Sequence, residues 1–272
     1  DKCVGKLKAS TIPVTPIVID NNSSDNTVDY IQKNYPDAIL ISSDKNLGFG
    51  KANNIGLKKA LDLGCDYVFL LNQDASLHQD ALERLIAVAE KNKEFAILSP
   101  IHFSENKEID QKFSYHLSVG MCPGFIYDLL KGQLKEVYAI NYINAAGWLL
   151  SQNTLENIGG FDPLFFMYGE DSEYIGRVQK KGYKLGVIPE AGLTHYRHNK
   201  YYNKIPFSKQ VTLKLRSAIQ QSKNVNYPFI TNIKTTLDFF YESIIQSLFR
   251  LKLTDLSVSL KAFFYGYFYF VK

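Results

Sequence analysis

Residues 67–74 read Tyr-Val-Phe-Leu-Leu-Asn-Gln-Asp, an apolar run that ends abruptly in amide and carboxylate side chains. A run of this length and composition is typical of a strand buried inside a sheet. Similar apolar runs occur at 17–19, 38–41 and 95–98. Helical patterns separate them at 25–34, 50–63 and 79–92. Strands that alternate with helices predict an α/β fold, in which a mostly parallel central sheet carries helices on both faces.

The rest of the chain extends this pattern and then changes character. Further strands are predicted at 145–151, 184–188 and 193–196, with a helix at 170–181. Beyond them the pattern is helical, at 207–223, 229–250 and 255–270. We therefore predict two regions, an α/β region over residues 1–200 and a helical region over residues 201–272.

Composition and charge limit the classes of function. The chain has 272 residues, of which 46% are hydrophobic, enough for a large core. Its three widely spaced cysteines argue against a disulfide framework and favour a reducing, cytoplasmic location. No apolar run reaches about 18 residues, so no membrane span is predicted. Residues 200–272 hold 11 Lys/Arg against 3 Asp/Glu, whereas residues 1–199 hold 20 against 24, which gives an acidic front and a basic end.

Polar side chains follow two of the predicted strands. Asp20-Asn21-Asn22 comes after one, and Asn72-Gln73-Asp74 after another. Ligands of open α/β sheets bind beyond the carboxyl ends of the strands, so both clusters are expected to share one crevice. Carboxylate and amide oxygens on a tight loop can hold Mg²⁺ or Mn²⁺ against a diphosphate. Taken alone, Asn72–Asp74 fits a helix-capping turn equally well.

A glycine-rich segment, Asn46-Leu-Gly-Phe-Gly-Lys-Ala-Asn-Asn-Ile-Gly56, joins a predicted strand to a helix. It includes Gly48 and Asn53, and it matches neither the P-loop nor the G-x-G-x-x-G pattern. Glycines allow close backbone approach and a helix N-terminus favours an anion, so the segment predicts phosphate binding. A tight turn in which Gly56 serves packing explains it equally well.

Two later clusters carry ionisable groups. Gly169-Glu170-Asp171-Ser172-Glu173 follows an aromatic loop at 165–168. A carboxylate in such a partly apolar pocket can act as a general base toward a hydroxyl, although acidic residues at a helix start also simply favour the helix dipole. His195 and His198 follow a short strand. A histidine here either completes a metal site or is structural.

These motifs occur in a fixed order that resembles a known family. The order is Ile19–Asp25, Asn46–Gly56, Asn72-x-Asp74, Gly159-Gly160-Phe161-Asp162, Glu170-Asp171 and His195. It is similar to that of the family 2 glycosyltransferases of GT-A fold, particularly the rhamnosyltransferase-like members of bacterial polysaccharide synthesis. The resemblance covers roughly residues 15–200. It implies a GT-A, Rossmann-like fold whose first strand precedes the helix in which Asp1–Val4 would lie.

The resemblance also implies roles for individual residues. The implied donor-binding residues are Asp20, Asn21, Asn46, Gly48, Asn53, Asn72, Asp74 and Trp148. Asn72-x-Asp74 stands at the family's D-x-D motif, with an amide in place of the first carboxylate. Together with His195 it would form a site for Mg²⁺ or Mn²⁺. Asp171 matches the catalytic base of the family, with Glu170 beside it.

The implied activity is metal-dependent sugar transfer with inversion, in polysaccharide biosynthesis. The donor would be a nucleoside-diphosphate sugar such as dTDP-rhamnose or a UDP-hexose, and the acceptor a glycan or a lipid-linked saccharide. A sugar-phosphate nucleotidyltransferase is one alternative, but it would need a glycine-rich, Arg-containing N-terminal loop, and none is visible. A non-catalytic nucleotide- or glycan-binding module is another, and the intact Glu170-Asp171 pair argues against it.

The C-terminal end combines aromatic and basic residues in Phe263-Phe-Tyr-Gly-Tyr-Phe-Tyr-Phe270 and its Lys neighbours. Helices packed on the α/β region fit this composition. A peripheral surface at the inner face of the cell membrane, beside a lipid-linked acceptor, fits it as well. No nucleic-acid-binding motif occurs, so nucleic acid is not an expected partner.

Overall fold

The computed structural model describes residues 2–196, 207–222, 224, 226–249 and 253–270. The strands are β1 Ile17–Asp20, β2 Ile39–Ser42, β3 Tyr67–Leu71, β4 Ala75–Leu77, β5 Phe95–Phe103, β6 Tyr138–Ile140, β7 Gly147–Ser151 and β8 Lys184–His195. The first eight helices are α1 Val4–Leu7, α2 Thr27–Asn34, α3 Phe49–Asp62, α4 Ala81–Lys91, α5 Gln111–His116, α6 Phe125–Leu130, α7 Gln152–Ile158 and α8 Glu170–Lys180. Three longer helices follow, α9 Phe207–Ser222, α10 Phe229–Phe249 and α11 Leu253–Phe270.

The strands form two sheets. β1 and β2 pair in parallel, and a six-stranded sheet runs in the order β3-β7-β5-β8-β4, with β6 also paired to β8. A central sheet flanked by helices and followed by C-terminal helices confirms the predicted fold class. The expected parallel majority was wrong, because only β1–β2 and β5–β8 are parallel among the described pairings. Apolar runs report burial and not strand direction, so a buried strand of a mixed sheet has the same pattern.

β8 replaces the two short strands predicted at its ends. It runs beside β5 along nearly its whole length, with a register shift between Pro100 and Ile101, and its last residues pair with β4. The helix predicted at 79–92 begins at Ala81, after the short strand β4 that contains Ser76. The pairing of β4 with β8 joins the Asn72–Asp74 loop to His195.

Apolar side chains cover both faces of the six-stranded sheet. On β7, Trp148 and Leu150 enter one cluster, with Phe161 and Tyr174. Leu149 enters the other, where α4 packs. Side chains of neighbouring strand residues point to opposite faces, so this alternation follows from β geometry. The rigid centre of the sheet thereby fixes the strand ends that carry polar residues.

The C-terminal helices share a cluster of their own. Its buried members are Val211, Ala218, Phe240, Val258 and Ala262. The three predicted helices are confirmed to within a few residues. The predicted boundary near residue 200 lies outside the described residues. None of the described helices combines the length and apolarity that crossing a bilayer would require.

Candidate active site

The Asn72–Asp74 loop lies against the end of β8. The Oδ1 atom of Asp74 is 3.3 Å from Nε2 of His195, whose side chain is only 5% exposed. The backbone N–H of Tyr196 donates to the Asp74 carbonyl at 2.7 Å. The backbone N–H of Asn72 donates to the Ala146 carbonyl at 3.1 Å. The structure therefore brings together Asp74 and His195, two of the three residues predicted to form a metal site, and Asn72 lies two positions before Asp74 on the same loop.

These residues offer a partial metal site. A carboxylate oxygen and an imidazole nitrogen 3.3 Å apart are close enough to bind one ion, and Asp74 is 36% exposed, so an ion can reach it. The described residues contain no group of three or more His, Cys, Asp or Glu side chains that could hold a metal. The remaining ligands would then be amide or phosphate oxygens, as is usual for Mg²⁺ beside a diphosphate. His198 lies outside the described residues.

Asp20 and Asn21 form a second group at the end of β1. The Asp20 carboxylate is buried and accepts from the backbone N–H of Ser23. The amide of Asn21 donates to the Asn46 side chain at 3.1 Å and to the Gly48 carbonyl at 3.3 Å. Its oxygen accepts from the N–H of Leu47 at 2.7 Å. Asn21 thus joins the end of β1 to the glycine-rich segment.

The glycine-rich segment packs against the loop that leads into α8. Gly48 adopts φ +81°, and a Cβ there would collide with the backbone carbonyl of Phe166. That carbonyl accepts the N–H of Phe49 at 2.8 Å. Asn53 donates to the Phe49 carbonyl, one turn back in α3. Asn54 makes two hydrogen bonds of 2.8 Å to the backbone of Phe161. The segment therefore supports the loop before α8, a role that its sequence did not indicate.

The start of α8 is locally strained. Tyr168 adopts φ +67° and Gly169, the N-cap, adopts φ +99°. A non-glycine residue in this region is uncommon and often marks a functional site. Tyr168 is 56% exposed, and the guanidinium of Arg216 lies 5.4 Å from its ring centre. The strained turn therefore presents an aromatic face beside the acidic first turn.

Glu170 is a buried carboxylate at this turn. Its side chain is 6% exposed, and Oε2 has no hydrogen-bond partner. Burial, with the nearby charge of Asp171, raises the pKa of Glu170 to about 7, although Arg216 opposes the shift. Near neutral pH a substantial fraction of this group is therefore protonated. Such a perturbed carboxylate is typical of functional sites.

Asp171 follows directly and is held by neutral donors. The phenol of Tyr142 donates to Oδ2 at 2.6 Å, and the backbone N–H of Ser172 donates to Oδ1 at 2.8 Å. Tyr142 lies in the loop that ends at Ala146, the residue bonded to Asn72. Four residues span roughly 14 Å at full extension. The loop therefore connects the predicted base to the predicted metal loop, and its backbone between Tyr142 and Ala146 can span at most about 14 Å.

Trp148, predicted to bind the donor, lies opposite Leu70 near the Asn72–Asp74 loop, but its side chain enters the core. Its side chain is fully buried, 6.0 Å from the ring of Phe161 and 5.7 Å from that of Tyr174. It therefore packs the core beneath α8 and cannot touch a ligand in this structure. A lone tryptophan in a strand pattern predicts burial more readily than binding, because its large apolar surface dominates.

No sequence motif indicated that two residues of this region, Tyr142 and Arg216, would lie near the acidic turn. Tyr142 contacts Asp171 across 29 positions of sequence, and no motif surrounds it. Arg216 comes from α9, and its charge acts on Glu170. The basic excess of residues 200–272 indicated a positively charged region, but it could not single out Arg216 among the basic residues.

The comparisons with known proteins identify one family and two similar enzymes. The family model described as Glycosyl transferase family 2 matches residues 2–144, just over half of the chain. The low-salt glycan biosynthesis hexosyltransferase Agl10 of Haloferax volcanii is 24% identical over 248 residues, which cover 87% of this chain and 77% of that protein. The N-acetylglucosaminyl-diphospho-decaprenol L-rhamnosyltransferase of Mycobacterium tuberculosis is 25% identical over 216 residues, 70% of this chain and 68% of that protein.

A solved structure shares the fold. GalNAc-T7 in complex with UDP, GalNAc and Mn²⁺ superposes with a TM-score of 0.55 at 14% identity. The match covers 90% of this chain and 54% of that chain, so this chain spans about half its length. At this identity the likeness concerns the fold alone.

Proposed function

The chain belongs to glycosyl transferase family 2, and from that premise we propose that it transfers a sugar with inversion from a nucleoside diphosphate to a hydroxyl of a glycan or lipid-linked saccharide. Relatives named as a hexosyltransferase and a rhamnosyltransferase favour a hexose or deoxyhexose, with dTDP-rhamnose or a UDP-hexose as donor. The observation that carries the proposal is the loop 142–146, which joins Asp171 to the Asn72–Asp74 loop.

Asp171 is the proposed base of a single displacement. The acceptor oxygen attacks the anomeric carbon and forms the new C–O bond, while its proton passes to the Asp171 carboxylate. The bond from the anomeric carbon to the diphosphate oxygen breaks, and its electron pair leaves with the diphosphate. Because burial raises the pKa of Glu170 to about 7, this side chain carries less negative charge beside the base near neutral pH than an exposed glutamate would.

The diphosphate is proposed to lie at the Asn72–Asp74 loop. Asp74 and His195, with Asn72 beside them, would hold Mg²⁺ or Mn²⁺, whose charge would offset that of the leaving group. Asp20 and Asn21 are proposed to contact the nucleotide. Asn46, Gly48 and Asn53 would act by shaping the segment between nucleotide and acceptor loop, since their polar groups already bond within the protein.

The acceptor is proposed to bind at the strained turn before α8. Phe166, Met167 and Tyr168 are each more than a third exposed and precede Glu170 and Asp171. A flat aromatic face suits the apolar face of a sugar ring. Arg216, from α9, lies beside the ring of Tyr168. We therefore propose that residues 1–200 carry the donor site and that the region 201–272 contributes to acceptor binding.

A lipid-linked acceptor would place the protein at a membrane. Five apolar residues of α10 are exposed and share one helix face, namely Ile230, Ile233, Leu237, Tyr241 and Leu248. Together with the basic excess of residues 200–272, this face is proposed to lie on the anionic inner surface of the cell membrane, with the protein in the cytoplasm.

Flotation with vesicles that contain phosphatidylglycerol tests the membrane surface. Wild type is expected to float, and Leu237→Glu with Tyr241→Glu should remain at the bottom of the gradient. Leu130→Glu, at an 83% exposed position of α6, is the matched control and should float. Equal flotation of all three proteins would remove α10 as the contact.

A donor panel tests the transfer itself. The protein is incubated with dTDP-, UDP- and GDP-sugars, with Mn²⁺ or with EDTA, and release of nucleoside diphosphate is measured. At least one donor should be consumed with Mn²⁺, and Asp171→Asn should lose that turnover. A nucleotidyltransferase would instead make sugar nucleotide from a nucleoside triphosphate, and a binding module would bind a donor without consuming it. Either result would exclude the proposal.

A further inference from the structure

Asp171 has an unusual pair of partners for a proposed base. One carboxylate oxygen accepts from the phenol of Tyr142 and the other from the backbone N–H of Ser172. Both partners are neutral, so neither cancels the negative charge that proton transfer requires. Two fixed donors also prevent the carboxylate from rotating. Each oxygen keeps a second lone pair, which remains available to a hydroxyl proton.

Tyr142 is itself held firmly. Its ring packs against the main core cluster, and the ring of His116 lies 5.0 Å away. Burial raises the pKa of the Tyr142 phenol, and the charge of Asp171 raises it further. The phenol therefore stays protonated over the working pH range and remains a hydrogen-bond donor. A donor anchored in the core can fix the direction of a side chain at the surface of the site.

The loop that carries Tyr142 reaches both halves of the site. Its last residue, Ala146, accepts the backbone N–H of Asn72 at 3.1 Å, and β7, which follows, pairs with β3. The direction of the Asp171 carboxylate is thus tied to the strand end that carries Asp74. A base acts only within hydrogen-bond reach of the proton that it removes. A small change in the direction of the Asp171 carboxylate should therefore lower the rate of transfer.

We propose that Tyr142 is a positioning residue that holds the Asp171 carboxylate toward the acceptor hydroxyl. The inference rests on the proposed role of Asp171 as base. The hydrogen bond is made to the ionised carboxylate, which is the form that accepts a proton. Its removal also frees the side chain to rotate. Tyr142 is therefore expected to affect the rate and its pH dependence, and not donor binding.

The test compares Tyr142→Phe with wild type in steady-state transfer. The variant keeps the ring and loses only the donor, so kcat should fall about 10- to 100-fold. The acid limb of the kcat profile should move to higher pH, while the KM for the donor stays within about twofold. Tyr127→Phe, at a 62% exposed position of α6, is the matched control and should change none of these values.

A fluorinated tyrosine at position 142 provides a second measurement if Tyr142→Phe folds poorly. Its more acidic phenol donates more strongly, so the acid limb should move in the opposite direction, to lower pH. A profile unchanged in both variants would overturn the inference. A loss of donor binding in step with the loss of kcat would overturn it too, because that pattern indicates general disruption.

A double-mutant cycle separates this inference from the proposed function. If Tyr142 acts through Asp171, adding Tyr142→Phe to Asp171→Asn should cause no further loss. An Asp171→Asn variant with near-normal transfer would refute the base itself. An inactive Asp171→Asn variant alongside a fully active Tyr142→Phe variant would refute only the positioning role.

Discussion

Asp74 and Asp171 are the same residue type held in two different ways. Asp74 lies at a strand end, 36% exposed, with Oδ1 3.3 Å from a histidine nitrogen. Asp171 lies in the first turn of α8, where a phenol and a backbone N–H fix both of its oxygens. A group that binds a cation must stay open to incoming ligands, whereas a base needs one fixed direction. Local partners, and not residue type, therefore separate the two proposed roles.

Replacing Asp171 should have the largest effect. Asp171→Asn keeps the shape and the partners but cannot take a proton, so turnover should fall about 10³-fold. Donor affinity should survive, because the diphosphate is proposed to bind at the other carboxylate. Single-turnover transfer and titration calorimetry measure the two quantities separately. If the variant transfers sugar at a near-normal rate, Asp171 is not the base, and the proposed roles of Asp74 and Asp171 are wrong.

Replacing Asp74 should show the opposite pattern. Asp74→Ala removes the carboxylate beside His195, so the gain in donor affinity that Mn²⁺ provides should fall about 100-fold. Calorimetric titration of the donor, with and without Mn²⁺, measures that gain. Asp62→Ala, at an exposed position of α3, is the matched control and should bind as wild type does. Unchanged metal-dependent binding in Asp74→Ala would place the cation elsewhere.

The two carboxylates also differ in how far the sequence could predict their surroundings. The strand before Asp74 and the helix after Gly169 were predicted within a few residues, because apolar periodicity and glycines act locally. The direction of the strands was not predicted correctly, because patterns of burial do not encode strand direction. The contact of Asp171 with Tyr142 depends on a loop 29 residues away, and the burial of Trp148 depends on Phe161 and Tyr174. Only the folded chain brings these groups together.

Glu170 provides the smallest and most specific test, because it lies beside the base yet is not expected to act as one. Its pKa is raised from 4.5 to about 7, mainly by burial. As the pH rises through this range, the unfolded carboxyl ionises while the folded one holds its proton. The free energy of unfolding therefore falls with rising pH, and the deficit is complete above the folded pKa. Glutamine has no charge to bury and escapes this cost.

Glu170→Gln should consequently be more stable than wild type by about 1 to 3 kcal/mol near pH 8, and by almost nothing near pH 4.5. Urea unfolding at the two pH values measures the difference. Glu173→Gln is the contrasting variant, because both oxygens of Glu173 bind Arg177 and their loss should destabilise the fold at both pH values. Transfer by Glu170→Gln should stay within about tenfold of wild type, since Asp171, and not Glu170, is the proposed base. A loss of turnover as large as that of Asp171→Asn would mean that the buried carboxylate takes the proton, and the roles of the two neighbours would have to be exchanged.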